Sequence, residues 1–259
     1  MKLTLFRGWL DPGNYVWSPF VTKIEFHFRQ ANVKYILDGG SPRSAPKGKI
    51  PYISVHDEGS SPFLLADSAL IIAGLVESDI LPDLNSSLEP AAKTQDMAIR
   101  ALLEDKLYFY GIRERWMDNY YIQRDKVLGP IPYPMRVLVG FLAYRQIKAT
   151  LYGQGTGRFS SEEIMVFREK IWRSLNGLLE SSRKTIPDAA PAERAPFWCL
   201  GGDQPTQADA SLFGFIVSIL VSTSVPVSRE LVRSLPAVMD YVERIHHRYF
   251  PDYEKWIVE

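Results

Sequence analysis

The hydrophobic pattern of the chain changes period once, at Leu81-Pro-Asp-Leu-Asn-Ser-Ser-Leu-Glu-Pro90, a stretch of linker composition with no period of its own. Before it, Leu3 to Phe6, Lys34 to Leu37, Pro51 to Val55 and Phe63 to Leu65 are short segments of strand character bounded by Gly, Pro, Ser and Asp. Between the first two, Phe20, Ile24, Phe28 and Ala31 line one face of a helix over Pro19 to Ala31, and another helix runs from about Ser68 to Ser78. The order is a βαβ half followed by a ββα half. Beyond Pro90 every periodic stretch is helical. The chain therefore reads as an α+β protein of two domains, a small α/β unit over residues 1–80 and an all-helical unit over 91–259.

In the second unit, Ala91 to Tyr110 and Pro134 to Tyr152 have helical periodicity, the latter begun by Gly129-Pro-Ile-Pro-Tyr-Pro134. Ser160-Ser-Glu-Glu163 is a capping box, ahead of a helix whose spacing predicts Ile164, Phe167, Ile171, Leu175 and Leu178 as the core face. Two more helices are predicted near Gln207 to Ser222 and Pro236 to His247. Ala210 to Val227 is the stretch nearest to membrane character, but four serines, Thr223 and Pro226 interrupt it, and its apolar residues at helical spacing predict a buried helix.

Composition excludes several functions. The 30 basic and 30 acidic residues of the 259 cancel, and no basic run offers a footprint for a nucleic-acid backbone. One cysteine, Cys199, supports neither an internal disulfide nor a thiolate zinc site, so no metal is expected. With no secretory signal pattern at Met1 to Trp9 and no integral membrane segment, the chain reads as cytoplasmic. Neither a Gly-x-Ser-x-Gly elbow nor a His-Glu-x-x-His is present, and the four histidines read as core or solvated residues.

Three short motifs can carry chemistry. In Trp17-Ser18-Pro19-Phe20, Ser18 suits an N-cap and Pro19 suits N1; the same hydroxyl, beside unpaired amides and the positive helix end, can instead donate to an anion such as a thiolate. In Lys47-Gly-Lys-Ile-Pro-Tyr52, the proline is either an ordinary strand entry or, if the Ile50–Pro51 bond is cis, a corner that frees the Ile50 backbone to pair with an extended peptide. In Ala66-Asp67-Ser68, the polar pair either caps the next helix or holds an α-amino-acid head group, with Asp67 on the ammonium.

In this order the motifs resemble the thioredoxin-like half of the glutathione transferases. Phe197-Trp-Cys-Leu-Gly-Gly-Asp-Gln-Pro-Thr-Gln-Ala-Asp209 is similar to the segment ahead of a buried helix in that superfamily, with Thr206 and Asp209 as a folding cap. Leu151-Tyr-Gly-Gln-Gly-Thr-Gly-Arg-Phe-Ser-Ser-Glu-Glu163 and Ser18-Pro-Phe-Val-Thr-Lys23 resemble signatures of its Fax (failed axon connections)/metaxin-related branch. The likeness covers nearly the whole chain. It departs at Val21, where branch members commonly carry cysteine, and at Phe159, where histidine is common.

The resemblance implies glutathione as co-substrate or cofactor and a small hydrophobic electrophile as partner, in a homodimer. Carried over, Ser18 hydrogen-bonds the glutathione sulfur, Ile50 beside Pro51 pairs with the cysteinyl part, Asp67 and Ser68 bind the γ-glutamyl head, and Lys49 or Lys47 meets the glycine carboxylate. The electrophile pocket is expected between the domains, with Tyr15, Trp17, Tyr108, Arg113, Trp116 and Tyr120 as wall candidates. Arg113 and Arg115 read equally as surface charges. The implied chemistry is conjugation, or reversible addition giving isomerisation or elimination; the alternative is a non-catalytic Fax/metaxin-like adaptor or ligand-binding protein.

Overall fold

A computed structural model describes residues 1–56, 59, 61–184 and 195–256. The first unit consists of β1 (Lys2–Phe6), α1 (Pro19–Gln30), β2 (Ile36–Asp38), β3 (Tyr52–His56), β4 (Phe63–Ala66) and α2 (Ser68–Glu77). The strands form one sheet in the order β2-β1-β3-β4, with β1 and β2 parallel and the other pairs antiparallel. This is the thioredoxin-like half. β2 begins two residues later than Lys34 because the chain is still closing α1: Asn32 is left-handed (φ 53°) and the Val33 amide donates to the Phe28 carbonyl at 2.8 Å.

Helix α1 is not one-sided, as its spacing predicts, but buried from Val21 to Phe28 all round. Val21, Ile24 and Phe28 pack with Leu3, Leu5 and Ile53 of the sheet, while Phe26 joins the core of the helical domain. An amphipathic stripe cannot report a helix sandwiched between two domains, since the second face is polar in sequence and pairs its charges internally.

The helical domain begins with α3 (Pro90–Ala101), continues through π-helical turns at Leu102–Leu107 and Glu114–Asp118 that flank α4 (Tyr108–Arg113), and ends this run with α5 (Tyr120–Val127). It is completed by α6 (Met135–Gln154), α7 (Ser161–Arg183), α8 (Gln207–Val221), α9 (Pro226–Arg233) and α10 (Pro236–Tyr249). Helix α9, eight residues long and opened by Pro226, has no counterpart among the predicted elements. The Ser160–Glu163 capping box forms: the Glu163 amide donates to Ser160 Oγ and the Ser160 amide to Glu163 Oε2.

The core face of α7 is rotated from the predicted one. Ile164, Arg168, Trp172, Leu175 and Leu179 are buried, whereas Phe167 is 37% exposed. Trp172 takes the centre of the stripe, and Arg168 is drawn in by the buried Glu114 carboxylate at 2.5 Å.

Helix α8 runs through the middle of the domain, buried at nearly every position. Its amino end is held by carboxylate and amide oxygens from elsewhere: Asp96 accepts from the Ala208 amide at 2.7 Å and Asn85 from the Gln207 amide at 3.0 Å. Asp209 accepts from the Thr206 amide and hydroxyl, the Cys199 amide and the Tyr241 hydroxyl. Cys199 is buried beside this carboxylate, and burial raises its thiol well above the ordinary range. Among the described residues no single helix is long and apolar enough to cross a membrane.

The two domains meet along α1 and α8. A Cβ on Gly214 would lie within 2.4 Å of the Pro19 carbonyl oxygen, so glycine is what allows the approach. Beside that contact the buried Lys23 ammonium donates to Glu104 Oε1 at 2.7 Å, which also accepts from the Ser211 hydroxyl at 2.6 Å.

Candidate functional site

Strand register collects the three motifs at one end of the sheet. Tyr52 at the start of β3 pairs with Phe6 at the end of β1 and with Ala66 at the end of β4. Ile50 and Pro51 immediately precede Tyr52, Asp67 and Ser68 immediately follow Ala66, and the loop from β1 leads to Ser18.

That loop is held by the buried Arg7, whose guanidinium donates to the Asn14 carbonyl at 2.5 Å and the Asp11 carbonyl at 3.2 Å and stands 3.7 Å from Glu25. At its far end the Trp17 carbonyl accepts from Arg115 Nη1 at 3.0 Å and from the Ser218 hydroxyl at 2.6 Å. Ser18 occupies the N-cap of α1 in an extended conformation, with Pro19 next, yet its side chain makes no capping bond. Its hydroxyl is thus beside a helix amino terminus without being used by it, a position suited to an anion.

The Ile50–Pro51 bond is cis, and the Ile50 amide and carbonyl make no backbone hydrogen bond among the described residues. Asp67 is left-handed (φ 79°), an uncommon conformation for a non-glycine residue and one often found at functional corners. Its Oδ1 accepts from the Ala69 and Leu70 amides at 3.0 and 3.4 Å, so Asp67 does cap α2, while Oδ2 has no partner among the described residues. Ser68 is buried; Lys47 and Lys49 are exposed.

Of the six wall candidates, only Tyr108 lines the cavity next to Pro19. That cavity, about 30 Å³, is walled by Tyr108, Ile112, Arg115, Trp172, Phe215 and Ser218 among others. Phe20 packs edge-on against Tyr108, ring centroids 5.2 Å apart, and burial raises the Tyr108 phenol. Trp17 contributes its carbonyl to the Arg115 contact, and its ring stacks edge-on with Trp9. Tyr15 is 5% exposed and bonded to His246 Nδ1 at 2.8 Å within an aromatic cluster. Trp116 and Tyr120 pack toward Tyr144 of α6, and Arg113 bonds Ser161.

Arg115 is the residue that sequence reasoning leaves as a surface charge. It lies inside the interface, where burial pulls its guanidinium down to about 10, still charged at neutral pH. A signal was present: Tyr108, Ile112 and Arg115 recur at helical spacing and so share a face.

The model for a glutathione S-transferase N-terminal domain matches residues 19–121, and that for a glutathione S-transferase C-terminal domain matches residues 197–245. The isoprene-epoxide–glutathione S-transferase of Rhodococcus sp. (strain AD45) is 30% identical over 247 residues, covering 90% of this chain and 92% of that protein. The chain belongs to the glutathione S-transferase superfamily. Its relatives include metaxin-2 of Mus musculus, 21% identical over 86% of this chain and 78% of that one. The solved transferase GSTFuA3 from Phanerochaete chrysosporium aligns over 100% of this chain and 99% of its own, at 16% identity and a TM-score of 0.60. In this superfamily member the cysteine-bearing position after Ser-Pro-Phe is the fully buried Val21, packed on the sheet, so no protein thiol stands beside Ser18.

Proposed function

We propose that this protein is a glutathione transferase that holds glutathione against the start of β3 and uses it against a small hydrophobic electrophile. The observation that carries this reading is the gathering of Ser18, Ile50–Pro51 and Asp67–Ser68 at one sheet end, in a chain 30% identical to an isoprene-epoxide–glutathione S-transferase. The polar groups fit the ligand: a free backbone at Ile50 for its peptide, Asp67 Oδ2 for its ammonium, the Ser68 amide and hydroxyl for its carboxylate, and Lys49 for its far carboxylate.

Bound glutathione supplies the sulfur nucleophile. Ser18 donates to that sulfur, and with the positive end of α1 it favours the thiolate over a thiol whose free pKa is about 8.5. Sulfur–carbon bond formation cleaves the C–O bond of an epoxide, and the released oxygen takes a proton from water to leave as a hydroxyl; the space beside Tyr108, about 30 Å³, has room for such a water and not for the electrophile itself. Reversible addition at the same site gives isomerisation or elimination. The likeness to metaxin-2 supports a second reading, a non-catalytic adaptor.

Thermal-shift titration with glutathione separates the two. Stabilisation by millimolar glutathione that Asp67→Ala removes supports the transferase; its absence favours the adaptor. Loss of the hydrogen bond in Ser18→Ala raises the bound-thiol pKa by about 1–2, read from thiolate absorbance. An unchanged pKa takes the sulfur away from Ser18.

A further inference from the structure

Helix α6 is little covered by the rest of the molecule although it is rich in apolar residues. Over its 20 residues only Gly140 and Leu151 are buried, while Met135, Leu138, Phe141 and Leu142 are each more than half exposed. Its apolar residues are not confined to the side that meets the protein, and a helix apolar on several sides is ordinarily buried in something. Tyr133 and Tyr152 extend the patch at the two ends, 72% and 60% exposed. A contiguous apolar surface of this kind marks an interaction site.

Charge identifies the cover. From Val137 to Ser161 the sequence has Arg145, Lys148 and Arg158 and no acidic residue, in a protein of zero formal charge. Arg145 and Arg158 lie over the rings of Phe141 and Tyr152, at 5.8 and 5.1 Å from the centroids. Beside the second half of the helix a hollow of about 480 Å³ is lined by Arg113, Tyr144, Arg145, Lys148 and Tyr152. A second copy of the chain fits this surface poorly, because a two-fold contact sets the same patch on both sides and opposes cations with cations. An anionic partner with an apolar interior meets both demands.

We propose that α6 docks on an anionic phospholipid surface. The helix lies in the plane of the membrane, with Met135, Leu138, Phe141 and Leu142 at the boundary of headgroups and acyl chains. Its terminal tyrosines sit at headgroup level, and Arg145 and Lys148 meet lipid phosphates at the mouth of the hollow.

Flotation of the full chain with vesicles tests this. Phosphatidylcholine vesicles containing about a third phosphatidylserine should bind it and pure phosphatidylcholine should not, with binding falling as salt rises. Arg145→Gln with Lys148→Gln should weaken partition about 25-fold, each basic residue near an anionic surface contributing a factor of about five. Leu138→Ser with Phe141→Ser should weaken it as well; these exposed positions leave the thermal midpoint unchanged, which checks folding. Absence of binding to anionic vesicles at low salt overturns the proposal, and so does binding that neither double variant alters. A dimer in light scattering that Phe141→Ser dissociates, with no vesicle binding, assigns α6 to a second copy. Retention by a soluble polyanion without vesicle binding assigns it to an acidic macromolecule.

Discussion

The guanidinium of Arg115 is bonded to the Trp17 carbonyl, one residue before Ser18, at 3.0 Å, and its other nitrogen reaches the Ser218 hydroxyl at 2.8 Å. One side chain of the helical domain therefore fixes the chain just where the loop from β1 enters α1. Docking of the domains and placement of Ser18 are mechanically the same event.

Replacing Arg115 by Met leaves the Trp17 carbonyl with Ser218 alone. We expect a loss of about 1–3 kcal/mol in unfolding free energy, from the lost hydrogen bonds of a half-buried charged group. On the proposed function, conjugation of glutathione to a test electrophile should fall about 100-fold, as expected for a displacement of order 1 Å at the reacting group. Arg115→Lys keeps the charge and loses the fork, so it should recover stability better than kcat. Equal recovery of both would make Arg115 a purely structural residue.

The Lys23–Glu104 pair is the polar counterpart of this contact, with the lysine side chain 2% exposed. Lys23→Met leaves Glu104 with only the Ser211 hydroxyl and should cost about 3 kcal/mol in urea unfolding. Lys23→Met combined with Glu104→Met should regain most of that loss, since no charge is then left unpaired. Additive losses in the double-mutant cycle would show that the two residues act independently.

Burial pulls the His27 imidazole down to about 3, from an ordinary 6.5, with the Lys23 and Arg100 charges acting in the same direction. Between those pH values the unfolded chain holds the extra proton. Stability from this group is complete above pH 6.5 and declines toward pH 3, by about 1.4 kcal/mol per pH unit. Glu25 and Asp209, raised by burial, act in the opposite sense, so the informative quantity is a difference between proteins. His27→Gln should flatten the acid limb of a stability–pH curve by one proton. Parallel curves for variant and wild type would exclude His27 as the source.

Gly214→Ala puts a methyl group against the Pro19 carbonyl, where the ideal Cβ position is 2.4 Å from the oxygen. Two packed backbones must separate, at a cost of about 1–3 kcal/mol or more. Because Pro19 follows Ser18, the proposed glutathione-dependent turnover should fall further than stability alone explains. A variant with wild-type unfolding and turnover would mean that α1 and α8 have slack at this point.

Much of the candidate site was legible because its parts are local. Ser18-Pro19, Ile50-Pro51 and Asp67-Ser68 are each adjacent residues at an element boundary, and their order along the chain carried the family resemblance. The capping box at Ser160 and Glu163 was readable for the same reason, its two bonds spanning three residues. The partners of Arg115 lie 98 and 103 residues away, and that of Lys23 lies 81 away. No local pattern distinguishes such a cation from a solvated one.

Sequence by itself determined the order of strands and long helices and the caps at Asp67, Ser160 and Thr206, because those depend on neighbours a few residues apart. Only the tertiary structure decided which faces are buried. It turned α7 onto Trp172 and not Phe167, enclosed α1 on both sides, and left α6 apolar in the open. Burial depends on which surfaces meet, and a helical period identifies an apolar stripe without identifying what lies against it. The same limit separates Tyr108, at the cavity, from Tyr15, bonded to His246 in the core: two tyrosines alike in sequence, set apart by what surrounds them.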